Sequence, residues 1–226
     1  MTEDDIFEAI RALVVAGEYR DEVPGRPGVA LEGGGAFQKT KDGVLRRIYW
    51  RGTPEYVEAR RAGLLDKLPD LRVASPRTIV NAEKAIGLSL PPLLRRLYTE
   101  VGNGGFGPGY GLLRLENAHS DDTGETALSA RDGWDSLPPE LLPICNWGCA
   151  IYSLVDCSSP EGTMWGWDPN PVPPDESTSA LFAQDFTFAS WHARWIAGTI
   201  YQPTLVQDPA TGHWRGASDD EARGYE

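Results

Sequence analysis

The sequence predicts a chain that mixes helices with strands, on three observations. Helical periodicity recurs behind cap residues near residues 2, 53 and 75 and behind the Pro91-Pro92 pair. Between residues 141 and 167, short apolar runs alternate with turn residues, as strands do. Closer to the C-terminus, Phe188, Trp191, Trp195 and Ile196 fall at helical spacing and give one more helix with an aromatic face.

The elements follow in order. Thr2 with Asp5 three residues on predicts a capping box, and Ile6, Phe7, Ile10, Leu13 and Val14 share one helical face before the stop at Gly17. Residues 20–35 are rich in Gly and Pro and read as a loop. Ala36 to Trp50 reads as a hairpin turning at Lys41, Asp42 and Gly43. Thr53 and Pro54 open a short helix with Val57, Leu64 and Leu65 as its contacts. Ser75-Pro76 opens a helix carrying Ile79, Val80, Ala82, Ala85 and Ile86 to Gly87. Pro91-Pro92 opens the next, with Leu93, Leu94, Leu97, Tyr98 and Val101 before Gly102. A glycine-rich stretch to Gly111 precedes a strand through Leu112, Leu113 and Leu115. Residues 116–136 are polar and acidic, with one helix near Glu125–Arg131. Residues 141–147, 149–157 and 163–167 read as strands, and Trp165 and Trp167 point to one face, suited to pack beneath a helix. Residues 169–179 form a loop, 204–214 a second hairpin, and 217–226 a frayed tail.

Composition excludes several classes. The chain has 226 residues and a net charge of −12, with 41% hydrophobic residues and eight Trp, which is folded-protein composition. No apolar run is long enough to cross a bilayer, and the acidic start, Met1 to Asp5, is unlike a secretory or mitochondrial leader. Acidity argues against nucleic acid, whose phosphates need clustered cations. The expectation is a soluble cytoplasmic protein with no membrane partner. The charge is uneven: residues 75–199 hold 15 acidic against 7 basic side chains. The densest cluster is Glu116, Asp121, Asp122, Glu125, Asp132 and Asp135, with Trp134 in its midst as the aromatic expected to be exposed. Such a cluster is either a solvated face or a surface that steers a basic partner.

Motifs for catalysis or cofactors fail in context. Gly102, Gly104 and Gly107 match the spacing of a dinucleotide fingerprint, but they follow a helix rather than a strand. No nucleophile elbow, P-loop, paired-histidine metal motif or calcium loop is present. Cys145, Cys149 and Cys157 lack the paired spacing of a zinc knuckle and read as buried strand cysteines. Cys157 with Asp156 and Asp168 would need a base brought from His119, His192 or His213. Asp156 is read instead as a turn cap, and Asp168 as the end of a strand. The aromatic face of the last helix reads as core rather than as a stacking platform. No cofactor, metal or catalytic residue is expected.

Three ordered segments carry a family resemblance. Residues 90–115, with Gly102, Asn103, Gly104, Gly105, Phe106, Gly107, Pro108, Tyr110 and Gly111, resemble the SUKH superfamily, which includes the fungal Smi/Knr-like cell-wall regulators. Residues 142–157, with Trp147, Gly148 and Asp156, give a second match, and Phe188, Trp191 and Trp195 are similar to the terminal helix of such domains. The resemblance covers residues 74–199, leaving 1–73 as an extension of helix, hairpin and helix, and 200–226 as a hairpin and tail.

The resemblance implies an α+β fold in which a mostly antiparallel sheet is backed by helices. It also implies protein binding without catalysis. Many bacterial members are immunity proteins that neutralise a nuclease or deaminase toxin, and others are intracellular regulators or scaffolds. Arg outnumbers Lys 17 to 4, which is compatible with a GC-rich bacterial genome. The expected partner is a basic toxin domain, occluded at its active site. Its expected contacts are Glu116, Asp121, Asp122, Glu125, Asp132, Asp135 and the anchor Trp134.

Overall fold

The fold begins with a fully capped helix. The structure, a computed structural model, describes residues 1–28, 36–39, 43–117, 124–134, 137–173 and 179–225. Helix α1 (Glu3–Ala16) has the expected capping box: the Asp5 N–H donates to Thr2 Oγ1 at 3.2 Å, and the Thr2 N–H donates to Asp5 Oδ2 at 2.8 Å. It buries Ile6, Phe7 and Ile10 and stops at Gly17. Within the stretch expected to be a loop lies a strand, β1 (Glu22–Pro24). Strands β2 (Ala36–Lys39) and β3 (Leu45–Trp50) form the expected hairpin, and the sheet order is β1-β3-β2. Lys41 and Asp42 of its expected turn lie outside the described residues. The pairing of β1 depends on one inward residue, Val23, set opposite the buried Tyr49. Such a short run shows no period to read locally.

Helix α2 (Pro54–Arg61) is capped by Thr53 and buries Tyr56 and Ala59; of the expected contacts, Leu65 packs against the core from beyond the helix end. Val57 is exposed, as is Leu64 beyond the helix end. Helices α3 (Pro76–Ile86) and α4 (Pro92–Glu100) follow as expected. On α3, Ile79, Ala82 and Ile86 are buried, whereas Val80 and Ala85 face outward. Helix α5 (Ala127–Asp132) carries a capping box from Thr126 and Ser129.

The main sheet is antiparallel, in the order β4 (Leu141–Gly148), β5 (Ile151–Asp156), β6 (Thr163–Trp167) and β7 (Leu181–Thr187). Helix α6 (Phe188–Ala197) leaves β7 directly through the Thr187 cap. One face of the sheet presents Leu142, Ile144, Val155 and Met164 to a core shared with Ile6, Phe7, Leu94, Leu97, Tyr98, Phe106, Trp191 and Trp195. The chain is therefore α+β, a mostly antiparallel sheet backed by helices. Trp165 and Trp167 do share a face, but it is the opposite one, clustered with Leu141, Tyr152 and Leu154 rather than beneath a helix. His192 is fully buried among Phe188, Trp191 and Trp195, and burial lowers its pKa to about 4, so it is held neutral.

The strand expected at Leu112–Leu115 does not form. The Leu112 N–H and C=O bond back to Phe106 and Gly105, while the Leu113 N–H donates to Ile144 at 2.7 Å. The segment thus splits its bonds between the glycine loop and β4 and builds no ladder. Asn103 closes this loop by accepting from the Leu115 N–H and donating to the Glu116 carbonyl. At Gly104, φ is +79° and an added Cβ would stand 2.6 Å from the Leu112 oxygen.

One carboxylate joins the N-terminal segment to this assembly. Asp21 Oδ1 accepts from the Trp195 indole at 2.8 Å and from Arg51 at 3.2 Å, and Oδ2 accepts from the Gly109 N–H at 3.1 Å. Arg51 also lies 4.8 Å over the Trp195 ring. Beyond α6, β8 (Leu205–Gln207) and β9 (Trp214–Gly216) form the second hairpin, tied down where Asp168 accepts from the Leu205 N–H at 3.0 Å. The tail is not frayed: α7 (Asp219–Ala222) is capped by Ser218 and Glu221, and Glu221 pairs with Arg215.

These contacts set the expected stabilities of three variants. Asp21→Ala leaves an indole and an amide without their acceptor, removes the counter-charge of Arg51, and should cost about 2–4 kcal/mol in urea unfolding. Gly104→Ala should cost about 3 kcal/mol or more through backbone overlap and a left-handed φ. Gly17→Ala, with the same sign of φ but open space around it, should cost only about 1 kcal/mol.

Candidate partner-binding surface

Tyr152 on β5 stands opposite Asn146 on β4, and both reach Glu125 at the entry to α5. The Tyr152 hydroxyl donates to the Glu125 carboxylate at 2.9 and 3.0 Å, and Asn146 Nδ2 donates at 3.1 Å. Burial and the Glu125 carboxylate push the Tyr152 phenol up to about 12. The Trp134 ring meets the Tyr152 ring edge-on at 5.0 Å and stacks on Trp167 at 5.0 Å. Trp134 is therefore half-buried rather than exposed, because the outward sheet face offers it two aromatic partners. A carboxylate fixed by two donors and an indole fixed by two rings thus lie at either end of one tyrosine.

The other acidic positions are placed separately. Glu116 follows the glycine loop and accepts from Asn81 on α3 at 3.3 and 3.4 Å. Asp132 is exposed at the end of α5. Asp121, Asp122 and Asp135 lie outside the described residues, as does His119. The structure brings Glu125 and Trp134 together through Tyr152, a link that sequence reasoning missed. Cross-strand register is its signal, since Tyr152 pairs with Trp167 across β5 and β6.

The residues once weighed for catalysis are engaged otherwise. Asp156 Oδ1 accepts from the Ser158 N–H and hydroxyl, which makes it the turn cap expected. Burial, with the Asp156 charge beside it, pushes the Cys157 thiol up to about 12, far from a thiolate nucleophile. Cys145 is buried, but Cys149 is exposed: with Ala150 it forms the β4–β5 turn, both at positive φ, rather than starting a strand. Among the described residues no group of three or more His, Cys, Asp and Glu could hold a metal ion. Among the same residues no helix is long and apolar enough to cross a membrane.

The glycine loop runs from α4 toward β4: Gly104, Gly105, Gly107, Gly109 and Gly111 all take positive φ, and Phe106 is fully buried. Tyr110 leaves this loop exposed, its hydroxyl against Gly148 and its N–H donating to the Asn146 carbonyl, while the Gly109 backbone lies against Trp147. Trp147 in turn donates its indole N–H to Ser153 at 2.9 Å. A helix-backed antiparallel sheet with this loop docked on its first hairpin defines a class of α+β domain. The model of the SMI1 / KNR4 family (SUKH-1) matches residues 73–188, half of the chain, and the chain belongs to that family. The family includes toxin-immunity proteins and Knr4-like regulators. Neither curated proteins nor solved structures give a match.

The Glu125–Tyr152 contact makes a spectroscopic prediction. Glu125→Gln removes the charge but keeps an acceptor, so the Tyr152 phenol should titrate at lower pH, read by ultraviolet absorbance against a Tyr152→Phe control. Because folding raises this phenol's pKa, the stability it contributes is present below about pH 10 and declines as pH rises toward 12. Glu125→Gln should shrink that alkaline loss.

Proposed function

We propose that this chain is a bacterial cytoplasmic immunity protein that neutralises a cognate nuclease- or deaminase-type toxin by occluding its active site. The observation that carries this reading is the Glu125–Tyr152–Trp134 arrangement. It presents a carboxylate with its orientation already set beside a half-buried indole, in a family that includes toxin-immunity proteins. Pre-ordered side chains lose less entropy on binding, and Trp is enriched among residues that dominate interface energies. Glu116 and Asp132 add to the negative charge, and Asp121, Asp122 and Asp135 belong to the same acidic stretch of the sequence. A toxin cleft built for phosphate is cationic, so this charge would raise the association rate and compete with the substrate. The action proposed is non-enzymatic, and it is supported by the engagement of Asp156, Cys157 and His192 in packing and turn contacts.

The experiment is capture from the native lysate with tagged full-length protein, followed by binding kinetics with the toxin domain it retains. Replacing Glu116, Glu125 and Asp132 together by Lys should lower the association rate about tenfold or more and flatten its dependence on salt. An affinity that does not change between roughly 50 and 300 mM salt would sink the electrostatic mechanism. Capture of an endogenous protein with no toxin gene beside this one would assign the chain to the regulatory branch of the family.

A further inference from the structure

A second surface lies on the other side of the β4–β5 hairpin. A groove of about 600 Å3 runs between the N-terminal segment, the glycine loop and the end of α6. Its lining includes Glu22 and Trp50, which stand directly opposite each other on β1 and β3. Tyr110 and Trp147 contribute further aromatic surface from the loop and the hairpin. Trp50 is 46% exposed and Tyr110 57%, so two large rings are left open to an incoming group.

The charges within the groove are unequally satisfied. Asp21 and Arg51 neutralise one another, and Arg51 is held further by the Trp195 carbonyl at 3.2 Å. Arg20, two residues from Glu22, is committed to the Gly105 carbonyl at 2.7 Å. Among the described residues, the half-buried Glu22 carboxylate accepts no hydrogen bond and makes no close ion pair; the charge of Arg20 acts on it without contact, against that of Asp21. A partly desolvated carboxylate flanked by aromatic faces is complementary to a cation, because the ring faces and the carboxylate attract the same charge. Among cations, a planar guanidinium can stack on an indole and also fork onto a carboxylate. The groove already contains one such stack, Arg51 over Trp195.

We propose that this groove receives an arginine side chain from a protein partner, with Glu22 as the counter-charge and Trp50 and Tyr110 as the stacking faces. The groove adjoins the Glu125 surface through Asn146, whose side chain contacts Glu125 while its carbonyl takes the Tyr110 N–H. One basic partner can thus span both surfaces. Only the identity of that partner as a toxin rests on the function proposed above.

The test uses the full chain with N-acetyl-arginine amide as the probe and N-acetyl-citrulline amide as its neutral isostere. Indole N–H resonances are followed by NMR, with Trp50 assigned through Trp50→Phe. The arginine probe should shift the Trp50 signal where citrulline does not, and Glu22→Gln should weaken the probe about fivefold. Tyr110→Leu is a second variant, should Glu22→Gln fail to fold, and it should weaken binding similarly. Equal responses to the two probes, or unchanged binding in a folded variant, would overturn the proposal. A toxin captured by the chain and bound equally well by Glu22→Gln would also overturn it while leaving the immunity reading intact. Probe binding that depends on Glu22, in a chain that captures no toxin, would support the groove and count against immunity.

Discussion

The Asp21 carboxylate is the point on which the arrangement of the chain depends. It comes from the segment between α1 and β1, yet its acceptors are filled by the glycine loop, by Arg51 after β3 and by the indole of α6. Burial works against the charge and raises the pKa of Asp21, and the hydrogen bond from Trp195 and the charge of Arg51 oppose that rise. Three donors converge on one group from positions 30, 88 and 174 residues distant. The N-terminal segment is thereby bonded to the family domain, and α1 adds Ile6, Phe7 and Ile10 to the core that Trp191 and Trp195 also fill.

That attachment relies on how closely the glycine loop approaches its neighbours. Gly104 lies against the backbone of Leu112 to Arg114 at distances that leave no room for a Cβ, and Gly109 lies tight against the Trp147 ring. The loop docks on β4 by backbone bonds, and outward it meets the N-terminal segment through the Gly105 carbonyl, the Gly107 N–H and the Gly109 N–H and leaves Tyr110 exposed. The family motif is in this sense a packing device. Its consequence is positional, because it fixes the end of the β4–β5 hairpin through Asn146, Trp147 and Gly148.

The sheet divides the work between its faces. The face toward the helices is sealed by large apolar side chains. The opposite face carries Tyr152, Trp165 and Trp167, over which Trp134 is laid. The negative charge of the acidic segment is thus joined to aromatic surface through the Tyr152 hydroxyl, and polarity and burial are combined at a single side chain. The groups of this surface are held in order by one another, whatever binds there.

Much of this was legible in the sequence where the signal is local. Cap residues with helical spacing marked α1 and α3, and helical spacing of apolar residues marked α4 and α6, because a cap bond and an apolar stripe involve residues only three or four apart. The strands β4, β5 and β6 were legible from their apolar runs, and the glycine pattern together with the two later segments identified the family. Strands β1 and β7 were not legible. Val23 alone faces inward in the first, and Gln184 and Asp185 interrupt the second, so both are stabilised by pairing with a distant neighbour. The same holds for the candidate sites. The negative charge around residue 125 could be counted along the chain. The stacking of Trp134 on Trp167, the grip of Tyr152 on Glu125 and the placement of Glu22 beside Trp50 were decided only by tertiary structure, because each depends on strand register rather than on adjacency along the chain.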